Sequence, residues 1–273
     1  MLSVLSIAGS DSSGGAGIQA DIKTIAAHRL FAQSAITAIT AQNTTGVFGV
    51  EELSPSFVAA QIDVVFEDIR PAAVKIGMVS SAAIIEAIAQ RLLFWEAANI
   101  VLDPVMMSSS KAKLICEDAI DALKEYLFPL ADIITPNLYE AAALCGFGIA
   151  DSEAMEAAAF ALAESVAAAV LIKGGHSFET GHDDAGGQGA ADDFLVTQAR
   201  EGLWLRGERI PTKDNHGTGC TLSSAIACNL ALGFDMPASV ARAKAFVSGA
   251  LKNGIGLGRG SGPLNHMWEY GAS

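Results

Sequence analysis

The chain has 273 residues, of which 51% are hydrophobic and only 7% aromatic, so its core is expected to consist of Ala, Val, Ile and Leu side chains. Its 17 basic and 30 acidic residues give a formal net charge of −13. Proteins that bind nucleic acid usually present a basic surface, so this charge argues against a nucleic-acid partner. An anionic ligand would need a local site built from backbone N–H groups, a few Lys side chains and a divalent cation.

Short apolar segments alternate with helical patterns along most of the chain. This order predicts a single α/β domain over residues 1–273, with an open parallel sheet covered by helices. Each predicted strand is nearly all apolar, as expected for strands buried on both faces. The predicted strands cover residues 4–8, 34–40, 73–76, 100–102, 133–135 and 170–172. The predicted helices cover residues 18–27, 55–67, 82–93, 118–127, 138–144, 153–165, 218–232 and 237–251.

The alternation changes after Lys173. Residues 176–193 are rich in Gly, Asp and His, which predicts a mobile loop. Residues 194–197 and 203–206 predict a short antiparallel pair of strands. No apolar stretch is long enough to cross a membrane, and the spacing of the four cysteines fits neither a metal site nor a redox motif. We therefore expect a cytoplasmic protein with reduced thiols.

Candidate binding segments follow the predicted strands, because open α/β sheets bind ligands beyond the carboxyl ends of their strands. Residues 8–17 contain four glycines, which let a backbone approach a ligand closely, although a flexible turn would explain them equally well. Their spacing matches neither the Walker lysine loop nor the dinucleotide fingerprint. Gln42 follows the second strand, and its carboxamide suits the edge of an aminopyrimidine. Met78 follows the third strand and could line an aromatic pocket, but both residue types are also common in purely structural positions.

Oxygen-bearing side chains follow the fourth and fifth strands. Asp103 ends the fourth strand, while Asn137 and Glu140 lie three residues apart at the start of a helix and therefore share one face of its first turn. One interpretation is an N-cap Asn with a capping-box Glu. The other is a set of oxygen ligands near Mg²⁺, bound directly or through water. The spacing fits both interpretations.

The strongest local signal is the sequence His-Gly-Thr-Gly-Cys at residues 216–220, which enters a long Ala-rich helix. Gly217, Thr218 and Gly219 would direct unpaired N–H groups to one point at the positive end of the helix dipole. Such an anion hole suits a phosphoryl group in transfer. Cys220 lies in the same turn, where the thiol pKa is expected to fall, so that its thiolate could accept a proton from a substrate hydroxyl. A Gly-rich helix start with a small buried Cys is the structural alternative.

Together these segments resemble the ribokinase-like superfamily and, within it, the hydroxymethylpyrimidine/phosphomethylpyrimidine kinases of thiamine biosynthesis. The resemblance covers nearly the whole chain and rests on motifs that occur in the family's order. They lie at residues 7–21, 40–44, 74–78, 103–106, 135–140, 173–176 and 216–223. It implies a three-layer ribokinase-like α/β fold, with a mostly parallel central sheet and helices on both faces.

The resemblance implies a substrate and a pocket. The family phosphorylates 4-amino-5-hydroxymethyl-2-methylpyrimidine and then its monophosphate, using ATP and Mg²⁺, and a single site could carry out both transfers. Gly9, Asp21, Gln42 and Met78 would form the pyrimidine pocket, with Val105 in its wall.

The resemblance also implies the nucleotide side of the site. Asn137 and Glu140 would organise Mg²⁺ and the phosphates of ATP, and Asp103 would belong to the same environment. Lys173 and Lys244 would lie near the phosphates and supply positive charge that this acidic chain otherwise lacks.

At the reacting centre, the resemblance makes Gly217, Thr218 and Gly219 the anion hole and Cys220 the catalytic base. It further implies a homodimer. The sequence departs from the family at residues 213–216, which read Lys-Asp-Asn-His where the family usually has Asn-Thr before the His.

Three other functions remain open. A pyridoxal or pyridoxine kinase is the nearest, since that activity occurs on the same fold and some relatives with a Cys base accept pyridoxal. Sugar kinases usually carry Asp where Cys220 stands, and a sugar pocket would need more hydroxyl-binding groups. A non-catalytic pyrimidine-binding protein would be expected to have lost Cys220, Glu140 or the glycines beside Thr218, and all are present.

Overall fold

The structure, a computed structural model, describes residues 1–106, 117–166, 168–175 and 190–271. The strands are β1 (Ser3–Asp11), β2 (Phe31–Asn43), β3 (Gly46–Glu52), β4 (Ala73–Ile76), β5 (Ile100–Leu102), β6 (Ile133–Ile134), β7 (Ala169–Ile172), β8 (Asp193–Val196) and β9 (Gly202–Leu205). The helices are α1 (Gly17–Ala27), α2 (Pro55–Asp68), α3 (Ala82–Phe94), α4 (Glu117–Ala122), α5 (Leu138–Cys145), α6 (Ser152–Val166), α7 (Thr218–Ala231) and α8 (Met236–Lys252).

All nine strands join one sheet in the order β3-β2-β1-β4-β5-β6-β7-β8-β9. The pairs from β2 through β1, β4, β5 and β6 to β7 are parallel. The edge strands β3, β8 and β9 pair antiparallel. This mostly parallel sheet between two helical layers confirms the predicted fold class.

Two apolar clusters lie on the two faces of the sheet, because successive strand side chains point to opposite faces. Ile7 and Ile76 belong to one cluster with Ile62 of α2 and Ile88 of α3. The other cluster joins strand residues such as Val4 and Val101 to the apolar sides of α7 and α8. Burial of each Leu, Ile or Phe side chain contributes roughly 1.5–3 kcal/mol, so these clusters hold the helices against the sheet.

The predicted central strands are all present, and so are the predicted helices, with ends that differ by a few residues. The antiparallel pair predicted near residues 194–206 is confirmed as β8 and β9. Most of the loop predicted over residues 176–193 lies outside the described residues. No helix in the described ranges has the length and apolar character to cross a membrane.

Strand β3 was missed because most of its residues are exposed and no apolar alternation marks them. Phe48 is 71% and Val50 46% exposed. Strand β2 also runs to Asn43, three residues beyond the predicted end at Thr40, because its last residues pair with β3. Gln42 therefore lies inside a strand rather than after one.

Candidate active site

The loop after β1 and the loop before α7 touch through their backbones. Gly217, the N-cap of α7, has φ +85°, and a Cβ at this position would overlap the carbonyl oxygen of Gly15. Gly17 has φ +55°, and a Cβ there would overlap the carbonyl oxygen of Gly9. Both positions require glycine for backbone conformation and for space. The glycines predicted to serve a ligand thus serve first to bring two distant loops together.

Asp11 and His216 link the same two loops. The Asp11 carboxylate accepts hydrogen bonds from the N–H groups of Ser13, Gly15 and Ala16 at 2.8, 3.1 and 2.9 Å, and it lies 2.8 Å from His216 Nε2. Burial alone would raise the pKa of Asp11, but these bonds outweigh it and lower the pKa to about 2. The ionised carboxylate therefore fixes the β1–α1 loop against His216.

Gln42 lies on the other side of His216. Its carboxamide is 3.3 Å from His216 Nε2 and 3.1 Å from Thr40 Oγ1. A register shift between Ala41 and Gln42 marks a β-bulge, a feature that re-aims side chains next to binding sites. Beside these residues is a cleft of about 290 Å³. The cleft is lined by Gln42, Asn43, Thr44, Thr45, Gly46, His216, Gly260 and Ser261.

Gly9 and Met78 are in contact. A Cβ at Gly9 would lie 2.5 Å from the Met78 methyl group, so only glycine leaves room for the thioether. Met78 is half-buried, and its carbonyl oxygen accepts a hydrogen bond from Thr37 Oγ1 at 2.8 Å. Val105, also half-buried, follows Asp103 in a tight turn closed by its own N–H. The structure thus brings the predicted residues Gly9 and Met78 together.

Asp21 forms a buried ion pair with Lys75. Both side chains are fully buried, and Lys75 Nζ is 2.8 and 3.0 Å from the two carboxylate oxygens. The hydroxyls of Ser6 and Ser224 donate to the same carboxylate at 2.5 and 2.8 Å. Burial would lower the pKa of Lys75, but Asp21 outweighs burial and raises it, so the lysine is charged. The Asp21 oxygens are engaged by protein donors, and its predicted contribution to the pyrimidine pocket stays a prediction.

Cys220 lies in the first turn of α7, as predicted, but its pKa does not fall. Burial among protein atoms raises the pKa of the thiol to about 11, although the residue keeps some solvent contact. Lys75 and the N–H of Gly17 favour the thiolate, whereas the charges of Asp21 and Asp103 oppose it. The expected depression was wrong because Lys75 and the Gly17 N–H do not outweigh desolvation and the two carboxylates. Without ligands, Cys220 is a thiol at neutral pH.

A second ion pair lies at the start of α7. Lys173 Nζ is 2.8 Å from Asp103 Oδ1. A Cβ at Gly219 would be 3.3 Å from this Nζ and 3.4 Å from Asp103 Oδ2, so the pair faces the predicted anion hole. Thr135 Oγ1 donates to Asp103 at 3.2 Å and Ser223 Oγ lies 3.4 Å from it. Burial would lower the pKa of Lys173, but the Asp103 and Glu140 charges outweigh it and raise the pKa.

Asn137 and Glu140 form a capping box at the start of α5. Asn137 Oδ1 accepts from the Glu140 N–H at 2.9 Å, and Glu140 Oε2 accepts from the Asn137 N–H at 2.8 Å. The Met106 N–H reaches Glu140 Oε1 at 3.3 Å. Burial raises the pKa of Glu140. The capping interpretation is confirmed, and it does not exclude a further role toward a metal.

Lys244 of α8 binds a buried carboxylate. Its Nζ lies 2.7 Å from Asp193 Oδ2 and 2.6 Å from the carbonyl oxygen of Ala191. Asp193 Oδ1 accepts the N–H of Gly174, the residue after Lys173, at 2.9 Å. The two predicted phosphate-binding lysines are thus linked through Gly174 and Asp193, and both are paired with carboxylates in the ligand-free protein.

The sequence model of the phosphomethylpyrimidine kinase family matches residues 11–265. The chain belongs to this family. It is therefore a kinase, as predicted. A hydroxymethylpyrimidine/phosphomethylpyrimidine kinase of Rhizobium meliloti is 48% identical over 97% of this chain and 97% of that protein. A thiamine biosynthesis bifunctional protein of Geobacter sulfurreducens is 46% identical over 97% of this chain, which spans about half of its length (52%).

Solved structures of kinases share this fold. The phosphomethylpyrimidine kinase of Clostridium difficile superposes with a TM-score of 0.78 at 43% identity, covering 92% of this chain and 100% of that chain. An ADP complex of Bacillus subtilis pyridoxal kinase gives a TM-score of 0.87 at 34% identity, covering 99% of both chains. These kinases therefore share the fold that the sequence predicted for this chain.

The magnesium ion expected for a kinase of this family can be tested against the donor set. The described ranges contain no cluster of three or more His, Cys, Asp or Glu side chains that could hold a metal. Asp103 and Glu140 each already accept hydrogen bonds from protein groups. Mg²⁺ in kinase sites keeps several waters and binds mainly substrate phosphates. Asp103 and Glu140 therefore fit the ion as carboxylates that would contact it through those waters.

Sequence reasoning assigned no role to Asp11, Lys75 and His216, although all three lie within the motifs that carry the resemblance. A signal for Lys75 was present, because a Lys inside a strand predicted to be buried must find a carboxylate partner. The link between Asp11 and His216 carries no such signal, since the two residues are 205 positions apart.

Proposed function

We propose that this kinase transfers the γ-phosphoryl group of ATP to the hydroxymethyl oxygen of 4-amino-5-hydroxymethyl-2-methylpyrimidine, and then a second group to the resulting monophosphate. One observation carries the proposal: the Lys173–Asp103 ion pair lies beside Gly219 in the first turn of α7, the turn that also holds Cys220. The family membership and the 42–48% identity to kinases named for these substrates support the same reaction.

The pyrimidine would bind between the ends of β1, β2 and β4. Gln42 would hydrogen-bond the ring edge, while Gly9 and Met78 would pack against its face and Val105 would close the wall. Asp21 would contribute to the pocket indirectly, through its ion pair with Lys75. The contact between Gly9 and Met78 supports this assignment, while Gln42 lines the cleft beside His216.

The nucleotide would bind on the side of β6 and β7. Lys173 and Lys244 would exchange part of their bonding from Asp103 and Asp193 to phosphate oxygens. Asn137 and Glu140, together with Asp103, would orient the waters of Mg²⁺, which when bound neutralises charge on the phosphates. These lysines are the local positive charge that a chain of net charge −13 needs to hold ATP.

The chemistry would take place at the start of α7. The N–H groups of residues 217–219 would stabilise the charge of the phosphoryl group in transfer. Cys220 Sγ would accept the proton of the hydroxymethyl group as the oxygen attacks phosphorus in line. Burial holds the thiol pKa at about 11 even though Lys75 and the N–H of Gly17 favour the thiolate, so Cys220 would act as a base only once the bound substrates lower this pKa.

An ATP-consumption assay with Mg²⁺ tests the proposal, using the hydroxymethylpyrimidine, its monophosphate, pyridoxal and ribose as acceptors. We expect turnover of both pyrimidines and none of ribose. The second candidate, a pyridoxal kinase, is favoured by the TM-score of 0.87 to such an enzyme, and a preference for pyridoxal would establish it. Binding of the pyrimidine without turnover of any acceptor would show a non-catalytic binding protein.

We also propose a cytoplasmic homodimer. The described cysteines, Cys145, Cys220 and Cys228, are free thiols, which is usual in a reducing compartment. Strand β3 is an edge strand with an exposed Phe48, and the unpaired backbone groups of such an edge can pair with a second chain. Size-exclusion chromatography with light scattering would test the dimer, and a monomer at micromolar concentration would contradict it.

A further inference from the structure

The Asp11 carboxylate can act only as an acceptor. Backbone N–H groups of Ser13, Gly15 and Ala16 and the Ser13 hydroxyl all donate to it, at 2.8 to 3.1 Å. A protonated carboxyl would place its own hydrogen against one of these donors. Asp11 is therefore ionised, which agrees with its pKa of about 2.

An ionised Asp11 fixes the tautomer of His216. Nε2 of His216 is 2.8 Å from Asp11 Oδ2, and a hydrogen bond at that distance to a carboxylate requires a hydrogen on Nε2. The same Nε2 lies 3.3 Å from the Gln42 carboxamide atom that the structure places as the nitrogen. Two N–H donors would repel each other, so we assign the amide in the reversed orientation, with its oxygen toward the ring, because the O and N of an amide are told apart by their hydrogen bonds.

The environment of Thr40 agrees with this orientation of the amide. Thr40 Oγ1 lies 3.0 Å from the carbonyl oxygen of Ser10, which can only accept its hydrogen, and 3.1 Å from the carboxamide atom of Gln42 that the structure places as the oxygen and the reversed orientation makes the nitrogen. With its hydrogen used on Ser10, the hydroxyl can only accept from Gln42. The NH₂ group therefore faces Thr40, and one of its two hydrogens is left over.

We propose that Asp11 and His216 are positioning residues for substrate recognition: they lock the Gln42 carboxamide so that it presents one N–H and one oxygen lone pair to the cleft. This pair complements a ring nitrogen next to an amino-bearing carbon, as in a 4-aminopyrimidine. Pyridoxal has no amino group beside its ring nitrogen and cannot satisfy both groups at once. The inference rests on the proposed function and specifies how its substrate is selected.

The first test reads the tautomer directly in the wild-type protein. Long-range ¹H–¹⁵N NMR distinguishes a protonated from an unprotonated imidazole nitrogen. The protein has five histidines, and the signal of His216 is the one that disappears in His216→Phe. We expect Nε2 of His216 to carry hydrogen at pH 7.5. An unprotonated Nε2 overturns the proposal, whether or not the protein turns over any substrate.

The second test couples His216 to one substrate atom. Calorimetry would compare the hydroxymethylpyrimidine with an analogue in which CH replaces the ring nitrogen beside the amino-bearing carbon. We expect the wild type to bind the analogue about tenfold more weakly, the effect of one lost hydrogen bond. In His216→Phe, which keeps a ring against Gly15, the two ligands should bind with nearly equal Kd values.

The matched control is His28→Phe. His28 is the C-cap of α1, packs against Phe246 and bonds the carbonyl oxygen of Thr24, away from the cleft. It should keep the wild-type ratio of Kd values. If His216→Phe also keeps that ratio, the positioning role is wrong while the kinase reaction stands. If the wild type turns over no pyrimidine, the proposed function fails, and the NMR result still decides the tautomer.

Discussion

Lys75 and Asp21 form the most deeply buried charge pair among the residues described. Both are fully shielded from water, and two serines complete the hydrogen bonding of the carboxylate. Removing one partner of such a pair leaves an uncompensated charge in a low-dielectric interior. The pair joins β4, in the centre of the sheet, to α1 and, through Ser224, to α7, the helix whose first turn holds Cys220.

We expect Lys75→Met to lower the free energy of unfolding by about 3–5 kcal/mol, because Asp21 would be left buried and unpaired. Urea denaturation followed by circular dichroism would measure the loss. The double variant Asp21→Asn/Lys75→Met removes both charges and should recover at least half of it. Equal losses in the single and double variants would mean that packing, rather than charge, dominates at this position.

Cys220 allows the two phosphoryl transfers to be separated. In the first transfer the acceptor is an alcohol whose proton must be removed, whereas the monophosphate acceptor is already largely ionised at pH 8 because its second pKa is about 6. We expect Cys220→Ala to lower kcat for the alcohol about 100-fold or more and kcat for the monophosphate less than tenfold. Equal losses for both acceptors would contradict the role of Cys220 as a base.

At this scale the sequence indicated the residue types but not their electrostatics. It placed Cys220 at a helix start, yet the fall expected for its pKa was wrong, since burial and, after it, two carboxylates raise the pKa, and all of these come from distant parts of the chain. Asn137 and Glu140 illustrate the opposite case. Their local spacing offered the capping box as one of two interpretations, because both partners lie within one turn.

At the scale of elements, the start of α7 depends on the backbone conformation of Gly217. Its φ of +85° disfavours any side chain, and a Cβ would overlap the carbonyl oxygen of Gly15 in the loop after β1. Strand and helix ends were predicted where apolar patterns end. The exposed strand β3 and the bulge at Gln42 depend instead on pairing between strands, which a single sequence does not display.

We expect Gly217→Ala to separate the two loops and to lower kcat for both acceptors at least about 100-fold, because the anion hole and Cys220 share this turn. Gly146→Ala is the matched control. Gly146 also has a positive φ, +78°, but no atom lies within 4 Å of a Cβ there. It should lose about 1–2 kcal/mol of stability through strain alone and keep its kcat.

For the whole molecule, buried histidines make stability depend on pH. Burial lowers the pKa of His266 to about 4, with a further contribution from Lys23, while its Nε2 lies 3.0 Å from Thr221 Oγ1. The unfolded chain, with a His pKa near 6.5, binds a proton that the folded protein does not. Stability must therefore fall as the pH drops from about 6.5 toward 4.

We expect the free energy of unfolding to be about 2 kcal/mol lower at pH 5 than at pH 7 from His266 alone. Urea denaturation at the two pH values would measure this difference. His28, whose pKa is also lowered by burial, acts in the same direction. His266→Gln should reduce the slope, and an unchanged slope in that variant would assign the pH dependence to other groups.

The contact between Asp11 and His216 also has a consequence for how the chain folds. The bond spans 205 residues, so no local segment can form it in advance. Contacts of such large sequence separation form only after the intervening chain has been ordered, and they slow folding. On the ribosome, the catalytic turn cannot form before α7 has been synthesised, and until then the sheet face that packs against α7 and α8 also lacks its apolar cover. We expect the nascent protein to acquire its complete packing and its activity together, only near the end of synthesis.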